Sequence, residues 1–387
     1  MKIAKSVNRL GTESVYSIFA KTKKLEKQGK KIIDLSLGQS DFKSPKHVVD
    51  ATIKALKDGH HGYTLPNGII ECREAVSRKI KSLYNANIDP ERIIIMPGGK
   101  PTMHYAISFF GEPDAEIIYP DPGFPIYESM INYTGAKAVP YNILERKDFS
   151  INPDKILPLI NEKTRLIILN NPNNPTGGFT EKTIIDKLAR GLAKFPHVAI
   201  LTDEVYSRLI FDKKEIPTLL NYPELYDRLI VLDGWSKTYA MTGWRLGWGV
   251  WPESLIEHVF KFCVNNHSCV NTAAQYGAIT ALDGPEDHLN DMMKEFTIRR
   301  KLIVDGLRSL KGVECSLPGG SFFVFPNVKG TGMDGEEFTE RCLQKAGVAM
   351  IPGTAFGKFA TNHVRFSFAT SRENISKAIE KIDKILK

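Results

Sequence analysis

At 387 residues the chain is longer than one ordinary small core needs and short for three domains, so two interlocked domains are expected. A hydrophobic share of 42% with 25% charged residues is a globular composition and excludes a disordered or fibrous chain. The formal net charge of +8 would suit nucleic acid if it were gathered in one stripe, but the lysines are spread along the chain.

The amino terminus carries Lys2, Lys5 and Arg9 without the apolar stretch of a signal peptide, and no apolar run is long enough to span a bilayer. The densest basic run, Lys21, Lys23, Lys24, Lys27, Lys30 and Lys31, alternates with Leu25 and Glu26 as the solvated face of a helix would. Short apolar runs bounded by Gly, Pro, Asn or Asp follow at 32–37, 92–96, 116–119, 166–170, 198–202 and 229–232. They read as buried strands of a mainly parallel sheet with crossover helices, an α/β architecture. Segments 45–58, 69–84 and 181–194 carry apolar residues at helical spacing between them. Beyond about residue 280 the pattern changes to one long amphipathic helix (285–310), short strands (320–326, 349–351, 363–368) and a last helix (373–386), a smaller α+β unit. The expected division is 1–45 as an arm and part of the small domain, 46–280 as the large domain and 281–387 as the small one. The five cysteines, Cys72, Cys263, Cys269, Cys315 and Cys342, are odd in number and lack metal-ligand spacing. A reducing, cytoplasmic setting with no metal, membrane or nucleic-acid partner is expected.

Chemistry-bearing residues cluster where these strands end. Lys237 and Arg245, in Gly234-Trp-Ser-Lys237 and Gly243-Trp-Arg245, lie beyond run 229–232, at the edge where open α/β sheets place ligands. A lysine among apolar neighbours can act as an amine nucleophile toward an aldehyde, and an arginine can pair with a phosphate. Asn174, in a turn rich in Asn and Pro after run 166–170, offers an amide donor. Asp203 closes run 198–202, where a buried carboxylate is costly unless paired. Gly98-Gly99-Lys100 supplies backbone N–H groups at a helix amino terminus. Arg365 sits on the face of its strand opposite Val364 and Phe366 and wants an anion.

As a set these segments resemble the class I/II aminotransferases, from about Gly11 to Lys387 with the motifs in family order. The resemblance implies pyridoxal 5'-phosphate (PLP) fold type I: a large domain with a mainly parallel seven-stranded sheet flanked by helices, plus a smaller α+β domain. It implies PLP held as a Schiff base on Lys237, with Lys237, Asp203 and Tyr206 as the catalytic group. Asp203 faces the ring nitrogen, Asn174 and Tyr206 reach O3', and Phe124 stacks on the ring. Gly99 and Lys100 (through their backbone), Ser236, Arg245 and Tyr63 bind the phosphate, Tyr63 from the neighbouring subunit of a homodimer. Gly38, Asn174 and Arg365 hold the substrate. Gly234 and Trp235 depart from the family pattern, which favours serine at the first position and smaller residues at the second, and Gln39 replaces a more usual glutamate.

The implied reaction moves an amino group from an L-amino acid to a 2-oxo acid such as 2-oxoglutarate, oxaloacetate or pyruvate, by ping-pong kinetics. Carbon–sulfur lyases and cyclopropane-forming synthases share these motifs and stay open as alternatives. A ligand-sensing transcription factor would need a helix-turn-helix domain, for which the residues before Gly11 leave no room. Segment 264–271 lacks the arginine by which aspartate-specific relatives hold a distal carboxylate from the neighbouring subunit, so a differently built specificity is expected. Asn266 or His267 could read a polar substrate, with Ser14, Tyr16 and Ile18 as the other wall.

Overall fold

The structure, a computed structural model, describes residues 1–11, 14–143, 148–212 and 215–387, apart from the side chains at 14–16 and 19. After a helix Ser14–Lys27, whose lysines face solvent, the chain forms the two-residue strand β1 (Ile33–Asp34). Helices Lys46–Lys57 and Ile70–Tyr84 lead into β2 (Ile93–Met96), and β3 (Glu116–Asp121), β4 (Lys137–Asn142), β5 (Thr164–Asn170), β6 (Ala199–Asp203), β7 (Leu229–Gly234) and β8 (Gly247–Val250) follow. Strands β2 to β8 make one seven-stranded sheet in the order β2-β8-β7-β6-β5-β3-β4. The pairs β4/β3, β3/β5, β5/β6 and β6/β7 are parallel, whereas β8 runs antiparallel to both β7 and β2.

The β-branched runs form this sheet because both of its faces are covered. Ile93, Ile95, Ile118, Ile167, Leu169, Ile200 and Val231 pack in one apolar cluster, while Ile94, Met96, Ile117, Leu166, Ile168, Leu201 and Ile230 pack in another. Successive side chains thus enter opposite cores, so a strand with one polar face would strand that face in oil. A third cluster gathers Phe322, Phe323, Val324, Phe338, Val364, Phe366 and Ile375 with Tyr206, Leu209 and Phe211 from the chain just after β6. It is built on β9 (Phe323–Val324), Val348 of β10 (Val348–Ala349) and β12 (Val364–Ser367), with helices Asp287–Ser309 and Arg372–Leu386, while β11 (Ile351–Pro352), paired with β12, turns Ile351 into the first cluster.

Two readings of the sequence need correction. Run 32–37 contributes no strand to the large sheet. Its β1 pairs in parallel with β10, and it stops at Asp34 because that carboxylate accepts from both the N–H and the hydroxyl of Ser36 in a turn. Strands β4 and β8 escaped notice, β8 because Gly247-Trp-Gly-Val reads as a loop. Both glycines are steric necessities: a Cβ at Gly247 would lie 2.6 Å from the Gly98 carbonyl carbon, and one at Gly249 would lie 2.5 Å from the Trp251 indole nitrogen. Among the described residues no helix is long and apolar enough to cross a membrane.

Candidate active site

The parallel strands β2, β3, β5, β6 and β7 all end at one edge of the sheet, and antiparallel β8 begins there. Segments far apart in sequence therefore converge on a single cavity of about 420 Å³. Its lining includes Gly38, Gly99, Lys100, Phe124, Asn174, Asp203, Tyr206, Ser236, Lys237, Arg245 and Arg365. Of the residues singled out in the sequence, Tyr63 is outside the cavity of its own chain, 93% exposed.

Lys237 sits in the single helical turn Trp235–Thr238 directly after β7, and its Nζ donates to the Gly38 carbonyl at 2.6 Å. The rings of Phe322 and Tyr206 flank the ammonium, with centroids at 5.7 and 5.9 Å. The departures at Gly234 and Trp235 have physical reasons. A Cβ at Gly234 would lie 2.7 Å from the Gly247 Cα, so no serine fits there. Trp235 turns away from the cavity, is fully buried, and donates its indole N–H to the Ala278 carbonyl at 3.0 Å.

Asp203 and Glu204, neighbours in sequence, are split by the strand's alternation. Asp203 faces the cavity, 5% exposed, accepting from the Tyr127 hydroxyl at 2.7 Å and the Val205 N–H at 3.2 Å. Glu204 lies outside that lining and accepts from Thr218 and Thr202. Burial pushes the Asp203 carboxyl up to about 6, against the pull of those two hydrogen bonds and of Lys237. Tyr127, buried beside this carboxylate, has its phenol held well above the usual range by burial first and the Asp203 charge second.

Asn170 ties the β5 loop to β6. Its amide donates to the Asp203 carbonyl at 2.9 Å, and its oxygen accepts from the Asn174 N–H at 2.9 Å. The Asn174 side-chain oxygen in turn accepts from Arg365 at 3.0 Å, which leaves the Asn174 amide hydrogens as donors toward the cavity. Arg365 is 3% exposed, also donates to the Ser36 carbonyl at 2.6 Å, and lies between the rings of Phe323 (4.3 Å) and Phe356 (4.7 Å). Its neighbours Val364 and Phe366 face the small apolar cluster, as strand alternation demands. Gly38 brings its backbone against Phe323, where a Cβ would approach the ring to 3.2 Å.

At the far end, Gly99 precedes the helix Lys100–Phe110. Gly98 has φ +89°, and a Cβ there would sit 2.5 Å from an Nη of Arg245. Glycine is what admits the guanidinium to the amino terminus of this helix, where the helix dipole favours an anion. The Lys100 ammonium stands 5.5 Å from the Phe124 ring centroid.

Sequence reasoning missed Tyr127, Asn170, Phe323 and Phe356. Tyr127 follows Phe124 by three residues in the turn that opens the helix Ile126–Thr134, its N–H donating to the Phe124 carbonyl at 3.1 Å. The two phenylalanines had no signal beyond apolarity. Asn266 and His267 lie outside the cavity of their own chain, and both meet the Tyr105 hydroxyl, at 2.8 and 3.3 Å. Ile18 is packed in the core, not on a cavity wall, and the side chains of Ser14 and Tyr16 lie outside the described residues.

The residues present fit PLP on two counts. Asp203 is buried at the cavity and, among the described residues, accepts from the neutral donors Tyr127 and Val205, the complement of a pyridinium nitrogen. Gly98, Gly99 and Arg245 make a cradle that a single Cβ would fill. A fold with such a site is that of a PLP enzyme. Residues 30–382 match the family model of aminotransferase class I and II. The aspartate aminotransferase of Pyrococcus horikoshii is 36% identical, covering 99% of this chain and 97% of its own length. A (5-formylfuran-3-yl)methyl phosphate transaminase of Methanocaldococcus jannaschii is 35% identical, with 96% of each chain covered. The crystal structure of the aspartate aminotransferase from Rhizobium meliloti superposes with a TM-score of 0.95 at 29% identity, covering 100% and 99% of the two chains. The chain belongs to the class I and II aminotransferases and is a PLP-dependent transaminase. All three relatives are transaminases by name, so the lyase and synthase readings gain no support.

Proposed function

We propose that the chain moves the amino group of an acidic L-amino acid, aspartate or glutamate, to a 2-oxo acid such as 2-oxoglutarate or oxaloacetate by ping-pong kinetics. The carrying observation is charge: Lys100, Lys237, Arg245 and Arg365 line the cavity with a single carboxylate, Asp203. Arg245 lies in the phosphate cradle, Lys237 does the chemistry and Arg365 takes an α-carboxylate. Lys100 is then the cation for a second carboxylate, in place of the arginine that segment 264–271 lacks. Relatives of nearly equal identity differ in the substrate they are named for, so charge chooses here where identity does not.

Bound PLP supplies a conjugated ring that accepts the electron pair left at the substrate Cα. Lys237, with its Nζ at the Gly38 carbonyl, carries the proton between Cα and the cofactor C4'. Asp203 keeps the proton on the ring nitrogen, and Tyr127 and Val205 orient its carboxylate. The Asn174 amide and the Tyr206 hydroxyl serve O3', and Phe124 covers the ring. Gly99, Lys100 (backbone), Ser236 and Arg245 hold the phosphate. Gly38 and Arg365 fix the α-carboxylate, with the guanidinium kept flat between Phe323 and Phe356.

We further propose a cytoplasmic homodimer with a large domain at 46–280 and a small one formed by 1–45 and 281–387. Tyr63 would complete the phosphate site of the second subunit. Its near-complete exposure, beside exposed Leu65 and Ile70, supports a partner there.

The test is a half-reaction panel that follows the bound-cofactor absorbance with one amino acid at a time. Aspartate or glutamate should react at least about tenfold faster at low concentration than alanine or phenylalanine, and Lys100→Ala should erase most of that gap. Equal rates for charged and neutral amino acids would sink the acidic assignment.

A further inference from the structure

Asp121, the last residue of β3, has no part in the roles above, yet it is 1% exposed. A carboxylate that deep is costly unless its oxygens are bonded. Here both are used by one segment: Oδ2 accepts the Lys358 N–H at 3.1 Å and Oδ1 the Phe359 N–H at 3.3 Å. Gly357, just before them, has φ +145°, and a Cβ there would lie 1.9 Å from Oδ1, so the segment closes onto the carboxylate only as glycine. A third bond reinforces the pair, the Gly123 N–H donating to the Phe356 carbonyl at 2.8 Å.

The two strips joined in this way are the two aromatic walls of the cavity. Two and three residues beyond Asp121 come Gly123 and Phe124, and Phe124 lines the cofactor side. Immediately before Gly357 comes Phe356, whose ring lies against the Arg365 guanidinium. The Lys358 ammonium points to the Phe359 ring, 5.2 Å from its centroid, so the carboxylate is held by main-chain N–H groups.

We propose that Asp121 is a positioning residue for substrate binding: it latches segment 353–360 to the end of β3 and thereby sets Phe356, and through it Arg365, at the α-carboxylate site. The inference rests on reading Arg365 as that site. An aspartate is required because two N–H donors need two acceptor oxygens. An asparagine offers one oxygen and turns its NH₂ toward the other N–H.

The experiment measures Asp121→Asn in the holoenzyme, with Arg365→Lys alongside. Asp121→Asn should raise KM for the amino acid and for the 2-oxo acid by the same factor, about tenfold, with kcat changed less than about threefold. The absorbance of the bound cofactor should stay as in the wild type. The shared factor follows because both half-reactions use one carboxylate site. Gly357→Ala pushes on the same contact from the other side and should give the same pattern. If Arg365→Lys raises KM and Asp121→Asn does not, the latch is wrong while the carboxylate site stands. If Arg365→Lys leaves KM unchanged, that site falls and the latch with it. A fall in kcat with altered cofactor absorbance and unchanged KM would also overturn it, since a general loss of structure would then explain the effect. A wild-type measurement guards against misfolded variants. By reciprocity, saturating succinate should slow hydrogen exchange in peptides covering 353–360, and unchanged exchange there would refute the latch.

Discussion

The floor of the cavity and its rim are built differently. The floor is made of strand ends: Asn170, Asp203 and Gly234, with Lys237 in the turn beyond, close β5, β6 and β7, which neighbour one another in a parallel ladder. Hydrogen bonds run across it from Asn174 through Asn170 to Asp203. The rim is supplied by the small sheets. Gly38 lies beyond β1, and Phe323, Phe356 and Arg365 belong to β9, the loop after β11, and β12. It meets the floor through Arg365 to Asn174, Lys237 to the Gly38 carbonyl, and the bonds of Asp121 and Gly123 at the end of β3 to segment 356–359. A rigid floor holds what stays for many turnovers, and a separately built rim can take and release what changes on each one. Floor substitutions should therefore change chemistry and cofactor retention, and rim substitutions should change KM.

The largest effect tests the floor. Lys237→Ala should lower the rate of the amino-acid half-reaction by about 10⁴-fold or more, because one amine serves both as the attachment point and as the proton carrier. Stopped-flow absorbance in the presence of reconstituted cofactor measures it. A variant within about 100-fold of the wild type would move the proton transfer to another group and blur the division.

The same division decides how much could be read from the sequence. Floor residues follow strands whose apolar runs are unmistakable, and each carries a chemistry that a core position would not tolerate. Lys237, Asp203 and Asn174 were therefore legible, as was the mainly parallel sheet. Apart from β12, whose alternation exposed Arg365, the rim is carried by two-residue strands that leave almost no periodicity, so β1 was drawn into the wrong sheet. Phe323 and Phe356 look like core residues, because against Arg365 they serve as the flat faces of a cation site. Gly234 and Trp235 looked like departures until the close approach of β8 accounted for the glycine and the buried bond to the Ala278 carbonyl for the tryptophan. Asp121 gave no signal, since its partners are main-chain N–H groups 237 and 238 residues away.

A middle-sized effect probes the floor's electrostatics through pH. Asp203 is pushed up to about 6 from an ordinary 3.8, so its neutral form is favoured in the folded chain without cofactor. Its contribution to stability is fully present below about pH 3.8 and is lost as pH rises through about 6. Two pKa units correspond to about 3 kcal/mol. Between pH 4 and pH 7 the apoenzyme of Asp203→Asn should therefore lose less stability than the wild type, by about that amount, in denaturant titrations. Glu204 and Asp233, raised chiefly by burial to about 8 and about 7, titrate in both proteins, and because the Asp203 charge adds to both shifts its removal reduces their loss in the same direction. Identical pH dependence would mean that Asp203 is ionised throughout this range and is not poised for a cationic partner.

The smallest effect isolates one hydrogen bond of the floor. Tyr127→Phe keeps the buried ring and removes the hydroxyl that donates to Asp203 at 2.7 Å. That bond lowers the carboxyl pKa against the larger, upward effect of burial, so its loss moves the pKa further up. The ionised carboxylate is the form that pairs with a protonated ring nitrogen. The pH below which the apoenzyme loses affinity for PLP should accordingly rise above that of the wild type, while KM for the amino acid stays within about twofold, because the rim is untouched. At pH 8 the loss in kcat should be no more than about tenfold, the worth of one hydrogen bond to a charged group. Fluorescence titration of the apoenzyme with PLP from pH 5 to pH 8 reads the midpoint. A rise in KM without a shift of that midpoint would show that Tyr127 acts on the rim through its neighbour Phe124, 5.9 Å away, and the separation of floor from rim would not hold at this corner.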